Sequence, residues 1–368
     1  MQATKKIAVL VSFSGQGGVE RSFALLMNEL VARGIAVDLL LIKRKSPHLN
    51  ALSPDIRQIP LINQHALTCV GEVAAYLARE QPSALLVAKH RAILASIKAK
   101  KRAKVDTPLY GVIGINVSQS LENRSAVQRW QWYWLMRRHY PKLTGLIGVS
   151  EGVAADLKSI TGMTDDQVTA IKNPVTTDAM LQEASYPVDH RWLADDFDEP
   201  VLITVGRLTK NKDHGMLLRA FGRINAERPS RLLILGEGPE RSQLESQITA
   251  LQLQDRVELA GFVDRPWAWM AKADLFVLSS FAEGSGNVLT EAMAVGTAVV
   301  STDCPSGPSE MLGGGKVAPL VPVGDDKALA EACLSVLSSA AAPEVLARAV
   351  APFTAAASAE NYLKFMRL

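Results

Sequence analysis

The stretch DLFVLSSFAEGSGNVLTEAMAVGTAVVSTDCPSGPSEML, residues 274–312, reads as strand, loop, helix, strand and loop, and it decides the fold. In the loop lies Glu283, followed by Gly284, Ser285 and Gly286, which let the backbone turn. A helix starting near Asn287 leaves its first amides without intrahelical partners, so that end favours an anion. Glu291 follows in the second turn, between Leu289 and Met293 on a largely apolar helix. A carboxylate there needs hydroxyls or a cation close by, and the hydroxyls of a sugar or ribose serve as well as a salt bridge. Glu283 has an equally simple reading as a helix-terminal acid that offsets the dipole.

Outward from this segment the same alternation runs in both directions. Apolar strand candidates at 6–13, 36–42, 84–88, 109–115 and 144–149 are separated by helical patterns such as 19–32, closed by Gly34. The rhythm breaks after IKNPV (171–175) and restarts at VLITVG (201–206). It continues with strands 231–235, 256–260, 274–279 and 297–301 and helices 213–227, 239–251, 266–272 and 287–296. Such alternation predicts an α/β fold of two Rossmann-like domains facing across a cleft, with ligands beyond the carboxyl ends of the strands. The expected division is an N-terminal domain 1–177, a polar linker 178–199, a C-terminal domain 200–353 and a helix 354–368 able to pack back on the N-terminal domain.

With 368 residues, 48% hydrophobic and 21% charged, the chain exceeds one ordinary core and is too apolar for disorder. The opening MQATKKIAVLV reads as a short tail and a buried strand, and no apolar run approaches the ~20 residues that span a bilayer. A cytoplasmic protein is expected. Cys69, Cys304 and Cys333 form no metal or disulfide spacing and read as small core residues. Basic residues crowd 89–104, and a second cluster interleaves arginines with aromatics in WQWYWLMRR (130–138). That pattern suits an anionic membrane surface, or a buried helix with solvated flanks. No nucleic-acid reading motif accompanies it.

Three further segments bear on chemistry. SFSGQGGVERS (12–22) follows a strand and opens a helix, placing Gly17 and Gly18 where a phosphate can approach, although a tight turn explains it equally. It is neither GxGxxG nor a P-loop. VGRLTKNKDHG (205–215) sets Arg207 and Lys212 after a buried strand, where two cations suit a diphosphate, or simply a solvated loop. Asp196 and Asp198 have a metal-diphosphate spacing, but in the polar linker they read as solvated. No HExxH or paired histidines occur, so metal chemistry drops out.

Taken in order, GGVER (17–21), GRLTKNK (206–212), GEGPE (236–240), and the two glutamates separated by seven residues in EGSGNVLTE (283–291) resemble family 4 of the retaining glycosyltransferases, with the GT-B fold. The resemblance covers most of the chain. It implies that Arg207 and Lys212 bind the donor pyrophosphate, with Glu283 on the transferred sugar and Glu291 on the ribose. Ser285, Gly286 and Asn287 would offer amides to the distal phosphate or sugar, Gly236 would line the donor site, and Gly17 and Gly18 would close on the donor. Phe262 and Val263, in GFVD (261–264), are the positions for the base.

Many members carry a histidine where this chain has GVIGINVS (111–118), so Asn116, Ser118 and the neighbouring His90 become the acceptor-side candidates. The resemblance further implies a nucleotide-sugar co-substrate, UDP before GDP, without a metal or other cofactor. The acceptor would be a glycan or lipid-linked molecule of polysaccharide or lipopolysaccharide synthesis, met at the inner face of the cytoplasmic membrane. An epimerase of the same architecture and a non-catalytic sugar-nucleotide binder remain alternatives.

Overall fold

The structure, a computed structural model, describes residues 5–15 and 17–368; the N-terminal tail and Gln16 of the glycine loop lie outside the described residues. The chain divides into two compact units, Met1–Val175 with Thr354–Leu368, and Thr176–Phe353.

In the first unit, KIAVLVSF and ALLVA have no polar face, so both faces of their strands must be covered, which is the condition of a parallel sheet with helices on each side. Seven strands form: β1 Lys6–Phe13, β2 Ala36–Arg44, β3 Arg57–Pro60, β4 Ala84–Ala88, β5 Leu109–Ile113, β6 Gly145–Gly148 and β7 Val168–Ala170. Their order is β3-β2-β1-β4-β5-β6-β7, all parallel. Val9 lies between Leu39 and Leu86, so the centre of the sheet is a layer of aliphatic side chains.

The second unit repeats the design with β8 Val201–Val205, β9 Arg231–Leu235, β10 Val257–Gly261, β11 Leu275–Leu278, β12 Ala298–Thr302 and β13 Leu320–Val321, in the order β10-β9-β8-β11-β12-β13. Leu202 pairs with Leu232 on one side and Leu275 on the other. In each sheet the strand order reverses direction once, between β1 and β4 and between β8 and β11. Loops leaving those strand ends diverge and open a crevice.

The edge strands β3, β7 and β13 escape the sequence reading because they are only four, three and two residues long. The expected linker 178–199 is corrected more substantially. Its residues belong to the second unit, with a helix Asp178–Ala184 capped by Thr177 and a turn Arg191–Leu193 that buries Trp192 and Leu193. The guanidinium groups of Arg191 and Arg231 lie 5.0 and 5.4 Å from the Trp192 ring, and Glu199 pairs with Arg231 and Arg256 at 2.8 Å. Glu199, at the end of that stretch, is thus shared by two arginines, one of which lies over the buried indole. Asp196 and Asp198 are exposed, and Asp195 pairs with Lys272.

The C-terminal helix Ala355–Met366 packs on the helix Gly18–Ala32 and buries Tyr362 and Met366 in the first unit. Ser358 Oγ donates to the Lys172 carbonyl at 2.6 Å, and Phe365 meets Tyr110 edge to face. All three cysteines are buried free thiols, as their spacing implied.

Candidate active site

The strand reversal between β8 and β11 puts two loops side by side in the second unit: 206–213 after β8 and 279–286 after β11. Backbone and side chains join them. Phe281 N donates to the Asn211 carbonyl at 3.0 Å, and Ser279 Oγ to the Lys212 carbonyl at 2.8 Å. Across this seam Lys212 Nζ meets Glu283 Oε1 at 2.6 Å, and Ser280 Oγ donates to the same oxygen at 2.6 Å. Both side chains are largely enclosed, at 17% and 12% exposure, so the pair is screened much less than a surface ion pair. Arg207, in contrast, is exposed and has no ion pair among the described residues.

The buried Cys304 thiol is pushed up to about 12, first by burial and then by the charge of Glu283. It stays protonated. The helix Asn287–Ala294 begins at Gly286, whose φ of +72° is a left-handed value that glycine adopts without strain. Gly307, at φ +100°, lets the next loop press against Ser285, since an added Cβ would lie 2.6 Å from the Ser285 carbonyl oxygen. Gly236 sits where the chain after β9 crosses the chain after β8, and a Cβ there would lie 1.9 Å from the Gly206 carbonyl oxygen. That glycine therefore has a packing requirement of its own.

Glu291 is 9% exposed and accepts a hydrogen bond from Trp267 Nε1 at 3.1 Å. The indole partner was not foreseen, nor were Ser280 and Asn211. Trp267 carried one signal, its place in PWAWMAK one residue after GFVD; the others depend on two loops meeting that are 71 residues apart. Phe262, 59% exposed, and Val263 follow β10, two strands away from the reversal.

The first unit has its own reversal site. Gly17 caps the helix Gly18–Ala32, and Glu20 in its first turn is buried. Lys89, directly after β4, has φ +74°, and its Nζ reaches Glu20 Oε1 at 2.9 Å and the Ser12 carbonyl at 3.3 Å. His90 follows, stacked on Trp132 at 4.3 Å between ring centroids, with Nδ1 2.8 Å from the Tyr140 hydroxyl. Burial, then the charges of Arg91 and His139, bring His90 down to about 4. Lys89, His90, Trp132 and Tyr140 line a cavity of about 460 Å³ whose walls include Ile42, Ile113, Val117 and Met136.

Asn116 and Ser118 have local tasks. Asn116 Oδ1 caps the short helix Val117–Ser120 by accepting from Gln119 N, and Ser118 Oγ accepts from the Tyr133 hydroxyl. The aromatic helix Ala126–His139 is split rather than buried: Met136 faces the core while Val127, Trp130 and Trp134 are 64%, 64% and 50% exposed. The Trp130 and Trp134 rings stack at 6.4 Å. Burial, then the charges of Lys142, Arg138 and Lys98, hold the His139 imidazole below its ordinary range.

Two parallel α/β units with a Lys–Glu pair at the second reversal define the class, a two-unit enzyme fold of the GT-B type. Residues 199–339 match the model of the glycosyl transferases group 1, and residues 16–179 that of glycosyltransferase family 4. The chain belongs to this glycosyltransferase family.

Over 198 residues the chain is 32% identical to N-acetylgalactosamine-N,N'-diacetylbacillosaminyl-diphospho-undecaprenol 4-alpha-N-acetylgalactosaminyltransferase of Campylobacter jejuni, covering 54% of this chain and 52% of that one. It is 34% identical over 151 residues to the lipopolysaccharide core biosynthesis glycosyltransferase LpsE of Rhizobium meliloti, covering 41% and 43%. The chain thus spans about half the length of the curated relatives it matches. Among solved structures, a glycosyltransferase from Rickettsia africae superimposes with TM-score 0.81 at 17% identity, over 99% of this chain and 98% of that one. HepE of Anabaena in complex with UDP gives 0.77 at 20% identity, over 98% and 99%. At such identities these structures show the fold alone.

Proposed function

We propose that the protein is a retaining glycosyltransferase that moves a sugar from a nucleotide diphosphate donor, a UDP-sugar first, to a glycan or lipid-linked acceptor in lipopolysaccharide or other cell-surface polysaccharide synthesis. The observation that carries this reading is the enclosed Lys212–Glu283 pair, set between the ends of β8 and β11 beside the helix that bears Glu291. Lys212 has three N–H donors and Glu283 engages one of them, so the ammonium can hold a phosphate oxygen without leaving its partner. Arg207, without an ion pair among the described residues, supplies a planar fork of donors.

Departure of the nucleotide leaves negative charge on the diphosphate, and preorganised cations stabilise that charge as it develops. Glu283 and Glu291 accept hydroxyl hydrogens and position donor sugar and ribose. Gly17 and Gly18 present the amides of a helix start to phosphate. Phe262 and Val263 are the proposed base contacts, with Ser285, Gly286 and Asn287 at the distal phosphate or sugar. In this mechanism charge stabilisation is the work of side chains, with no metal required and no protein nucleophile.

The C. jejuni relative's name gives a diphospho-undecaprenol acceptor, which supports the lipid-linked reading. Exposed Trp130 and Trp134, on a helix that also carries Arg137 and Arg138, suit an anionic leaflet, so we place the protein at the inner face of the cytoplasmic membrane. No helix among the described residues is long and apolar enough to cross a membrane.

A panel of UDP- and GDP-sugars, with released nucleotide and product anomer measured, tests the proposal. Transfer with retained configuration is expected. Conversion of donor without acceptor would mark an epimerase, and binding without turnover a non-catalytic protein. Co-sedimentation with anionic vesicles at low salt should fall when Trp130 and Trp134 are both replaced by alanine; no binding by the unaltered protein sinks the membrane placement.

A further inference from the structure

His90 and Tyr140 share one hydrogen bond, and its direction fixes the chemistry of the imidazole. The Tyr140 hydroxyl is fully buried, and His90 Nδ1 at 2.8 Å is its only partner among the described residues. If Nδ1 carried the proton, the phenolic hydrogen would be left in an apolar core with no acceptor, which costs more than a hydrogen bond returns. With the phenol donating, both groups are satisfied and Nδ1 is an acceptor. The other nitrogen of a neutral ring must then carry the hydrogen. Nε2 is not among the buried unsatisfied atoms and has no protein partner among the described residues, at a residue that lines the cavity.

We propose that His90 is a neutral Nε2–H donor that holds an oxygen of the cavity's occupant, and that this occupant is the acceptor, an amphiphile with an apolar body and a phosphate. The assignment deepens the glycosyltransferase reading and, for the name acceptor, rests on it. Charge complementarity selects the ligand: the walls Ile42, Ile113, Val117 and Met136 are apolar, while Lys43 and Arg91, which also line the cavity, are exposed and have no ion pair among the described residues. An Nε2–H cannot take a proton from an incoming hydroxyl, so His90 is excluded as the general base for which its position would otherwise make it the candidate.

The charges around the ring agree with a neutral state. Lys89 and Arg91 flank it in its own segment, His139 and Tyr140 face it from the aromatic helix and the turn after it, and His65 and Lys43 are the other titratable groups of the lining. None of these is an acid that would stabilise an imidazolium, and Glu20 is taken up by Lys89.

Long-range proton–nitrogen spectra of the intact protein labelled at histidine nitrogen read the tautomer directly. At pH 7 His90 should give the Nε2–H pattern, and Tyr140→Phe should shift it toward a mixture; an Nδ1–H or cationic pattern in the unaltered protein overturns the assignment. Titration with farnesyl phosphate, farnesol and inorganic phosphate reads the ligand. Farnesyl phosphate should bind best, losing about tenfold or more in His90→Ala and much less in His90→Gln, whose amide restores a donor near Nε2. Equal binding of farnesol, or no loss in His90→Ala, overturns the ligand. Neither measurement needs sugar transfer. These results in a protein without turnover would therefore remove the proposed function and keep the site.

Discussion

Lys212 and Glu283 are each half of a pair whose other half lies 71 positions away, and this makes their substitution informative in a way that Arg207 is not. Arg207 is exposed and has no ion pair among the described residues, so Arg207→Ala should lower transfer about 10²–10³-fold, as losing one charge-stabilising contact does, with the melting temperature nearly unchanged. Released nucleotide and a thermal melt measure the two; wild-type turnover would remove Arg207 from the donor site. Lys212→Met should also cost stability, of the order of 3 kcal/mol, because it leaves the enclosed Glu283 carboxylate with Ser280 alone. Adding Glu283→Gln should recover much of that stability and none of the activity. If the double variant is no more stable than Lys212→Met, the pair is not the coupled unit its geometry describes.

At the scale of elements, glycines decide how closely loops cross. Gly236→Ala places a methyl 1.9 Å from a backbone oxygen at a φ of +138°, and the expected loss exceeds about 3 kcal/mol by denaturant unfolding. Gly222, inside the helix His214–Glu227, has open space around it, and Gly222→Ala should stabilise by roughly 0.5–1 kcal/mol. Similar effects from the two substitutions would contradict the crossing of the chains after β8 and β9. The aromatic helix carries the contrast between sequence pattern and packing. Its apolar residues run all round, so no periodicity marked a face, and the packing of Trp132, Tyr133 and Met136 against the first unit's core leaves Trp130 and Trp134 outside.

At the scale of the molecule, the chain leaves the first unit at Val175 and returns at Thr354. Removing 354–368 takes Tyr362 and Met366 out of the first unit's core. Hydrogen exchange should therefore rise across β1 and the helix Gly18–Ala32 while β8 to β12 stay protected. Uniform loss of protection would mean the units unfold as one. Acid should act on both units. His90 in the first and His214 in the second are held at about 4, chiefly by burial, below their ordinary 6.5. The unfolded chain therefore takes up protons that the folded one refuses, so stability from these groups is complete above about pH 6.5 and declines as pH falls toward 4. The slope is at most about 1.4 kcal/mol per pH unit for each group. Denaturant midpoints between pH 7 and 4 check it, and a flat profile would contradict the burial of both rings.

The alternation of apolar runs was sufficient for two parallel sheets, because a strand covered on both faces must be apolar throughout and the crossover helix must be amphipathic. EGSGNVLTE and GRLTKNK were equally legible, since a loop, glycines and a helix start are local. Those local facts left open whether Glu283 merely offsets a dipole and whether Arg207 and Lys212 are merely solvated. Tertiary structure divided them, pairing Lys212 with Glu283, giving Glu291 the indole of Trp267, and leaving Arg207 exposed. It also turned the polar stretch 178–199 into part of the second unit and gave His90 a phenol partner 50 residues away. The reason is the range of the interactions. Periodicity and turn chemistry act between near neighbours in the chain, whereas ion pairing, desolvation and the direction of a buried hydrogen bond depend on which distant segments the strand order brings together.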